Sequence, residues 1–274
     1  MSTSTSARLR RALHNPVLFA RHANRLYHTK GGQWSYNSGG VDVFAEEWDS
    51  LLILDACRYD MFERRSDIPG QLTQRISRGS TTVEFLRSNL RDRDLGDTVY
   101  VTANPQYYRH RESIGATFHD VIDVWKGEGW DEDAGTVLPE TVVEHALDAA
   151  DRYPDKRLLI HFIQPHYPFI GSETEFDKGH LESNEGENVW GQFMLGMLDA
   201  NESRIWRRYE KNLDRALPHV EQLVRTLDGR TVVSADHGNM VGERSFPIPI
   251  HEWGHPRGTY TDELLRVPWL VCES

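Results

Sequence analysis

Cysteine is almost absent from the chain: Cys57 and Cys272 are the only two among 274 residues. Each follows an apolar run, where a buried small hydrophobe is expected rather than half of a disulfide. A chain of this length can bury a core without covalent staples, and a reducing interior suits it. Lysine is nearly as scarce. Five lysines (Lys30, Lys126, Lys156, Lys178 and Lys211) stand among 31 basic residues, against 42 acids, for a net charge of −11. The charge is also uneven. Residues 1–30 hold Arg8, Arg10, Arg11, Arg21, Arg25 and Lys30 and no acid, which leaves 42 acids against 25 bases in the remainder. Dense carboxylates with arginine over lysine are expected of a salt-adapted protein, and so acidic a body argues against nucleic acid as the main partner. Long hydrophobic runs are missing too. The longest, around Leu51–Leu54 and Leu158–Ile163, fall far short of the ~20 residues of a membrane span. Pro16-Val-Leu-Phe-Ala is too short for a signal-peptide core, and no small-residue cleavage site follows it. A cytoplasmic protein is the expectation.

Composition changes after the first forty residues. Residues 1–40 read as a basic N-terminal helical arm and linker. Leu9, Leu13, Val17, Leu18 and Leu26 are interspersed through Ala7–Tyr27, which predicts a helical pair broken near Pro16. Gly31-Gly32 and Ser38-Gly39-Gly40 then form a linker. Two uses fit the arm: a helix packed on the outside of the domain, or a peripheral docking element for a membrane face or an acidic partner. Residues 41–274 read as a single α/β domain.

Within that domain, apolar runs alternate with helical periodicity. Leu51-Leu-Ile-Leu54, Thr98–Thr102, the run from Lys156 into the His161–Pro168 loop, Thr231-Val-Val233 and the run Leu264–Val271 read as strands. Leu138–Tyr153 and Tyr209–Leu227 carry apolar residues at helical spacing, and Asp228-Gly229 ends the second helix. This order predicts a mostly parallel sheet with helices on both faces and a ligand site outside the carboxyl ends of the strands.

Chemistry-bearing residues gather at those ends. The Thr231 run stops on Asp236-His237-Gly238 and the Leu51 run on Asp55, followed by Arg58 and Asp60. Carboxylate and imidazole together form a ligand set for zinc, manganese or iron, although a strand-end Asp also serves as a helix cap. Ser80, Thr81 and Thr82 precede apolar residues at helical spacing (Val83, Leu86, Leu90). Ser80 or Thr81 caps that helix, with Glu84 placed for a capping box. A hydroxyl there also sits among the N–H groups and positive dipole end that favour a phosphoryl or sulfuryl group. His161 and His166 flank the end of another strand, in His161-Phe-Ile-Gln164-Pro165-His166-Tyr-Pro168. Residues 171–190 are polar and acidic and read as a loop over the site.

This ordered set resembles the alkaline phosphatase/sulfatase superfamily, in its sulfatase-like branch with the phosphoglycerol transferases. The set is Asp55-x-x-Arg58, the Ser80-Thr81-Thr82 hydroxyls, His161 through Pro168, Asp236-His237-Gly238, Gly254-His255-Pro256 and Arg266-Val267-Pro268. The resemblance spans residues 48–272 and implies an alkaline phosphatase-like α/β sandwich. It implies one or two divalent ions, manganese or zinc before calcium or magnesium, held by Asp55, Asp236, His237 and His255. It implies Thr82 as nucleophile, with Ser80 and Thr81 as alternatives and substrate contacts. His166 and His161 would face the transferring or leaving group. Arg58 would neutralise substrate charge or pair with Asp60. The expected activity is hydrolysis or transfer of a phosphate ester, small or linked to glycan or lipid. Formylglycine sulfatase chemistry is not expected, because neither cysteine lies in the Ser80–Thr82 region. Gln164 stands where two-metal members carry a stronger ligand, which bears on the second ion. The alternative is a non-catalytic, metal-stabilised protein that binds phosphorylated or sulfated glycans.

Overall fold

The computed structural model describes residues 16–171, 189–198 and 201–273. Nine strands occur among them: β1 Ser50–Leu54, β2 Gln71–Ile76, β3 Asp94–Thr102, β4 Thr117–Asp123, β5 Arg157–Phe162, β6 Arg230–Ala235, β7 Met240–Arg244, β8 His251–Gly254 and β9 Arg266–Glu273. Seven form one sheet in the order β2-β9-β6-β1-β5-β3-β4, and β7 and β8 form a separate hairpin. Every pairing among β6, β1, β5, β3 and β4 is parallel, while β9 runs antiparallel to both β6 and β2. The mostly parallel α/β architecture is therefore present, with one reversed strand that the apolar run Leu264–Val271 did not disclose.

β1 lies at the centre and is buried along its whole length, as befits a strand covered on both faces. Its alternating side chains feed two cores. Leu52 and Leu54 join Val99, Val101 and the apolar faces of helices Pro139–Arg152 and Glu202–Thr226. Leu51 and Ile53 join Tyr100, Leu159 and Val232 under Phe85, Leu86 and Leu90 of helix Thr82–Leu90. Burial of this kind contributes about 25 cal/mol per Å² of apolar surface.

Register places the site. Leu54 pairs with Phe162 on one side and Ala235 on the other. Asp55 and Asp236 thus leave adjacent parallel strands at the same level, on the face covered by helix Thr82–Leu90. His161 pairs with Ile53 and with Thr102, so period-two alternation points it to that same face, one step inside the sheet.

Three expectations are refined. The long amphipathic helix starts at Glu202 rather than Tyr209, capped by the Asn201 side chain on Arg204 N; its first turns are charged and hide the periodicity. β2 and β4 are edge strands, partly exposed and polar, and lack the apolar run of a central strand. The Pro16–His28 helix is tied to the domain. Asn24 donates to Ser245 Oγ at 2.8 Å and Ile248 O at 2.9 Å and accepts from Ile248 N at 2.8 Å, and Arg21 pairs with the buried Glu252. The first half of the expected helical pair, and residues 172–188 of the expected loop over the site, lie outside the described residues. Both cysteines are free and buried. No helix among the described residues is long and apolar enough to cross a membrane.

Candidate metal centre and active site

Asp55, Asp236 and His161 converge beyond the end of β1. One ligand atom from each lies within 4.8 Å of the other two, and all three side chains are buried. Each residue is anchored through its other atom. Asp55 Oδ2 accepts from Asn104 Nδ2 at 2.6 Å. Asp236 Oδ1 accepts from Ala56 N at 3.0 Å and His237 N at 2.8 Å. His161 Nδ1 meets the Tyr100 hydroxyl at 2.9 Å. The remaining atoms, Asp55 Oδ1, Asp236 Oδ2 and His161 Nε2, have no hydrogen-bond partner among the described residues. Buried polar atoms left this way cost free energy. Three of them within reach of one another could be satisfied together by a cation.

His237 completes the ring. Its Nδ1 lies 2.7 Å from Gly238 O. A carbonyl can only accept, so Nδ1 carries the proton and Nε2 presents its lone pair in the neutral ring. Nε2 lies 3.6 Å from Asp55 Oδ1, 3.4 Å from Asp236 Oδ2 and 3.4 Å from Thr82 Oγ1. Two carboxylates and two imidazoles with outer hydrogen bonds that fix their orientation fit a divalent ion of the zinc or manganese type.

The electrostatics match. Burial, with Asp236 alongside, pushes the Asp55 carboxyl well above its usual range, against the Asn104 hydrogen bond. Burial also lowers His161 to about 4, with Asp236 opposing and His237 adding to the shift. The site therefore holds excess negative charge only when something positive compensates it. Ala56, between Asp55 and Cys57, has φ of 60°. A left-handed alanine costs about 1–2 kcal/mol, and this one turns its N–H onto Asp236. Gly238 is required for space: a Cβ there would lie 2.0 Å from Glu263 O.

The three hydroxyls separate cleanly. Thr81 is the cap of helix Thr82–Leu90, its side chain accepting from Glu84 N at 3.3 Å. Ser80 is fully buried; its Oγ donates to Glu84 Oε2 at 2.9 Å and accepts from Gly258 N at 3.0 Å. Thr82, first residue of the helix, turns its hydroxyl to His237. Of the three, Thr82 is the one brought to the carboxylate and histidine cluster.

The other expected residues are placed as follows. His255 Nε2 lies 2.8 Å from His166 Nε2, and the His255 ring is 4.6 Å from that of His237. His166 Nδ1 faces the carbonyl Tyr167 O and so donates to it; in the neutral ring His166 Nε2 accepts and His255 Nε2 donates. His161, expected toward the substrate, groups with the carboxylates instead. Arg58 takes the second of its two expected roles. Nε and Nη2 bond Asp60 at 2.8 and 2.9 Å, Nη1 pairs with Glu243, and the guanidinium lies 4.7 Å over Trp206. Gln164 Nε2 donates to Val137 O at 2.9 Å.

Sequence reasoning missed three residues. Asn104 and Tyr100 hold Asp55 and His161, as above. Asn212 donates to Pro165 O, His166 O and Pro168 O at 3.1, 2.9 and 3.2 Å and accepts from Ile170 N at 3.0 Å. It fixes the loop that carries His166. A buried Asn on the apolar face of an amphipathic helix was the available signal.

No family model matches the sequence, and no curated protein matches it. Similar solved structures exist. The integral membrane lipooligosaccharide phosphoethanolamine transferase A from Neisseria meningitidis matches over 81% of this chain and 47% of its own, with 13% identity and a TM-score of 0.52. The C-terminal periplasmic domain of EptC from Escherichia coli matches over 87% of this chain and 76% of its own, with 14% identity and a TM-score of 0.51. The zinc complex of that domain matches with 14% identity and a TM-score of 0.50, over 86% of this chain and 75% of its own. The chain thus spans about half the length of the first of these proteins. At such identities the likeness is one of fold.

Proposed function

We propose that this chain, whose fold is that of the sulfatase-like alkaline phosphatase superfamily, is a metal-dependent phosphoryl-transfer enzyme acting on phosphate esters with Thr82 as nucleophile. One observation carries the reading: the buried Thr82 hydroxyl points to His237 Nε2 beside three orphaned ligand atoms. Asp55, Asp236, His161 and His237 would hold a divalent ion, which supplies positive charge that favours the alkoxide of Thr82 and the negative phosphoryl oxygens. The zinc complex of the C-terminal periplasmic domain of EptC, of similar fold, supports this assignment.

The chain's own residues do the rest. The first turn of helix Thr82–Leu90 offers N–H groups and a positive dipole end to the phosphoryl oxygens. Thr82, its hydroxyl proton released to water, forms a bond from Oγ to phosphorus while the bond from phosphorus to the ester oxygen breaks. The leaving oxygen takes a proton from the His166–His255 pair, whose two Nε2 atoms share one. A water or an acceptor hydroxyl then attacks the phosphothreonine, gives its proton to the pair and releases Thr82 Oγ as the alkoxide. Asn212 holds the His166 loop in place, and Asn104 and Tyr100 hold Asp55 and His161.

The test is mass spectrometry of the intact protein quenched during turnover of p-nitrophenyl phosphate with Mn²⁺ or Zn²⁺. A phosphoryl adduct on the peptide containing Thr82 is expected. Turnover without an adduct, and unchanged in Thr82→Ala, would remove Thr82 from the role.

A further inference from the structure

Eight large apolar side chains are exposed among the described residues, and five of them sit together at one end of the molecule. Phe19, Leu26 and Tyr27 lie on helix Pro16–His28; Phe246 and Ile248 lie on the segment between β7 and β8 that the helix packs against. The helix is two-sided. Ala20 and Asn24 are buried against the domain, while Phe19 (64% exposed) and Leu26 (41%) recur seven residues apart on the opposite side. Tyr27 bridges the two elements, its ring 5.4 Å from that of Phe246 (58% exposed) in an edge-on contact.

The charge at this end is opposite to that of the rest. Among the described residues of this end, 16–40 and 244–258, stand five arginines and lysines (Arg21, Arg25, Lys30, Arg244 and Arg257) and a single acid, Glu252; residues 41–243 and 259–274 hold 23 bases and 41 acids. Glu252 is buried and bonded to Arg21, so it offers no negative charge to an approaching surface. Arg25, Lys30, Arg244 and Arg257 are exposed. An acidic protein with one basic, apolar-tipped end is oriented by its own field when it meets an anionic surface.

From this juxtaposition we propose that the exposed face of helix Pro16–His28 and the Phe246–Ile248 loop form a docking surface for a membrane carrying anionic lipid. Clustered large apolar side chains flanked by cations are the pattern of an interfacial helix. The apolar tips enter the acyl boundary and the cations stay with the headgroups. A second copy of the chain fits less well, because a two-fold contact through this face would set the exposed Arg25, Lys30, Arg244 and Arg257 against the same four bases. The docking loop and the site are linked through one stretch of chain. β8 follows Ile248 and leads directly to His255, and the backbone N–H of Gly258 bonds the Ser80 hydroxyl. Docking would therefore bring the rim of the phosphoryl-transfer site toward the headgroup layer.

Flotation of the full chain with phosphatidylcholine vesicles, with and without phosphatidylglycerol, tests this. Vesicle binding is read without substrate, so its failure leaves the phosphoryl-transfer reading untouched. Binding is expected only with phosphatidylglycerol, weakening as salt rises. The pair Phe19→Ser and Leu26→Ser should weaken it about tenfold or more, as should Arg25→Glu with Lys30→Glu. Arg152→Glu, an exposed charge reversal outside this end, should leave it unchanged. All these side chains are exposed, so unfolding midpoints should stay at the wild-type value. Three results would overturn the proposal. One is no binding to either vesicle. Another is binding that survives loss of Phe19 and Leu26. A third is binding that appears only after removal of residues 1–15, which would assign the face to the chain's own N-terminal segment. Self-association abolished by Phe19→Ser and Leu26→Ser, without vesicle binding, would assign it to a second copy and likewise overturn it.

Discussion

Thr82 Oγ1 lies 3.4 Å from His237 Nε2 with both side chains buried. The residues are 155 positions apart in sequence, and their meeting joins the start of one helix to the end of the β6 strand. The hydroxyl at this point should be indispensable to chemistry and dispensable to the fold. Thr82→Ala should lower turnover of a phosphate ester by about 10³-fold or more, while metal content and the unfolding midpoint stay near wild type. Thr82→Ser should retain measurable turnover, because it keeps the oxygen. Equal turnover in wild type and Thr82→Ala would exclude Thr82.

Asn104 should matter to the metal through Asp55. Its amide donates to Asp55 Oδ2 at 2.6 Å and thereby turns Oδ1 inward. Residues that orient a ligand typically contribute about 10–100-fold in metal affinity. Asn104→Ala should weaken metal binding by that order, read by competition with a chromophoric chelator. Unaltered affinity would mean that Asp55 is oriented by β1 alone.

His161 sets a pH limit on the metal-free protein. Burial lowers its pKa from 6.5 to about 4. The unfolded chain therefore binds the proton first. The stability this neutral histidine contributes is complete above the ordinary value of 6.5 and is lost as pH falls from there through about 4. The shift corresponds to roughly 3 kcal/mol. Denaturant unfolding of the chelated protein at pH 7 and at pH 4.5 should show a smaller loss in His161→Gln than in wild type. Parallel curves would contradict the assignment. Asp55 acts in the opposite direction, since a raised carboxyl loses stability as pH rises, and His161→Gln isolates the histidine.

Salt should stabilise the folded chain. Outside the basic end the surface is dominated by carboxylates, and dense like charge opposes compaction unless screened. The thermal midpoint should rise by several degrees in molar KCl. A midpoint that is flat or falling with KCl would contradict a salt-adapted surface.

The centre of this site was legible because its logic is one of register. Asp55 and Asp236 each end an apolar run, and adjacent parallel strands bring such ends to one level. What could not be read was set by contacts distant in sequence. Asn104-Pro105 looks like a turn, and Tyr100 looks like one more core residue, until β3 is placed beside β5. His161 joined the carboxylates because it pairs with Ile53 within the sheet, which a strand-end reading did not anticipate. The choice among Ser80, Thr81 and Thr82 depended on where the helix begins, and helix starts shift by a residue or two in any sequence reading. Arg58 had a near partner in Asp60, visible in the sequence, and a far one in Glu243, which was not. The edge strands β2 and β4 were missed because exposed, polar strands lack the apolar run that marks a central one.

The most direct test of the metal centre is the metal content of the purified protein by inductively coupled plasma mass spectrometry. Wild type should be compared with Asp236→Ala and with Asp236→Asn, which preserves shape. One or two equivalents of manganese or zinc in wild type, lost in both variants, is the expected result. No bound metal in wild type after loading with either ion, or undiminished metal in both variants, would contradict it and return Asp55, Asp236, His161 and His237 to the role of buried polar residues at the ends of strands.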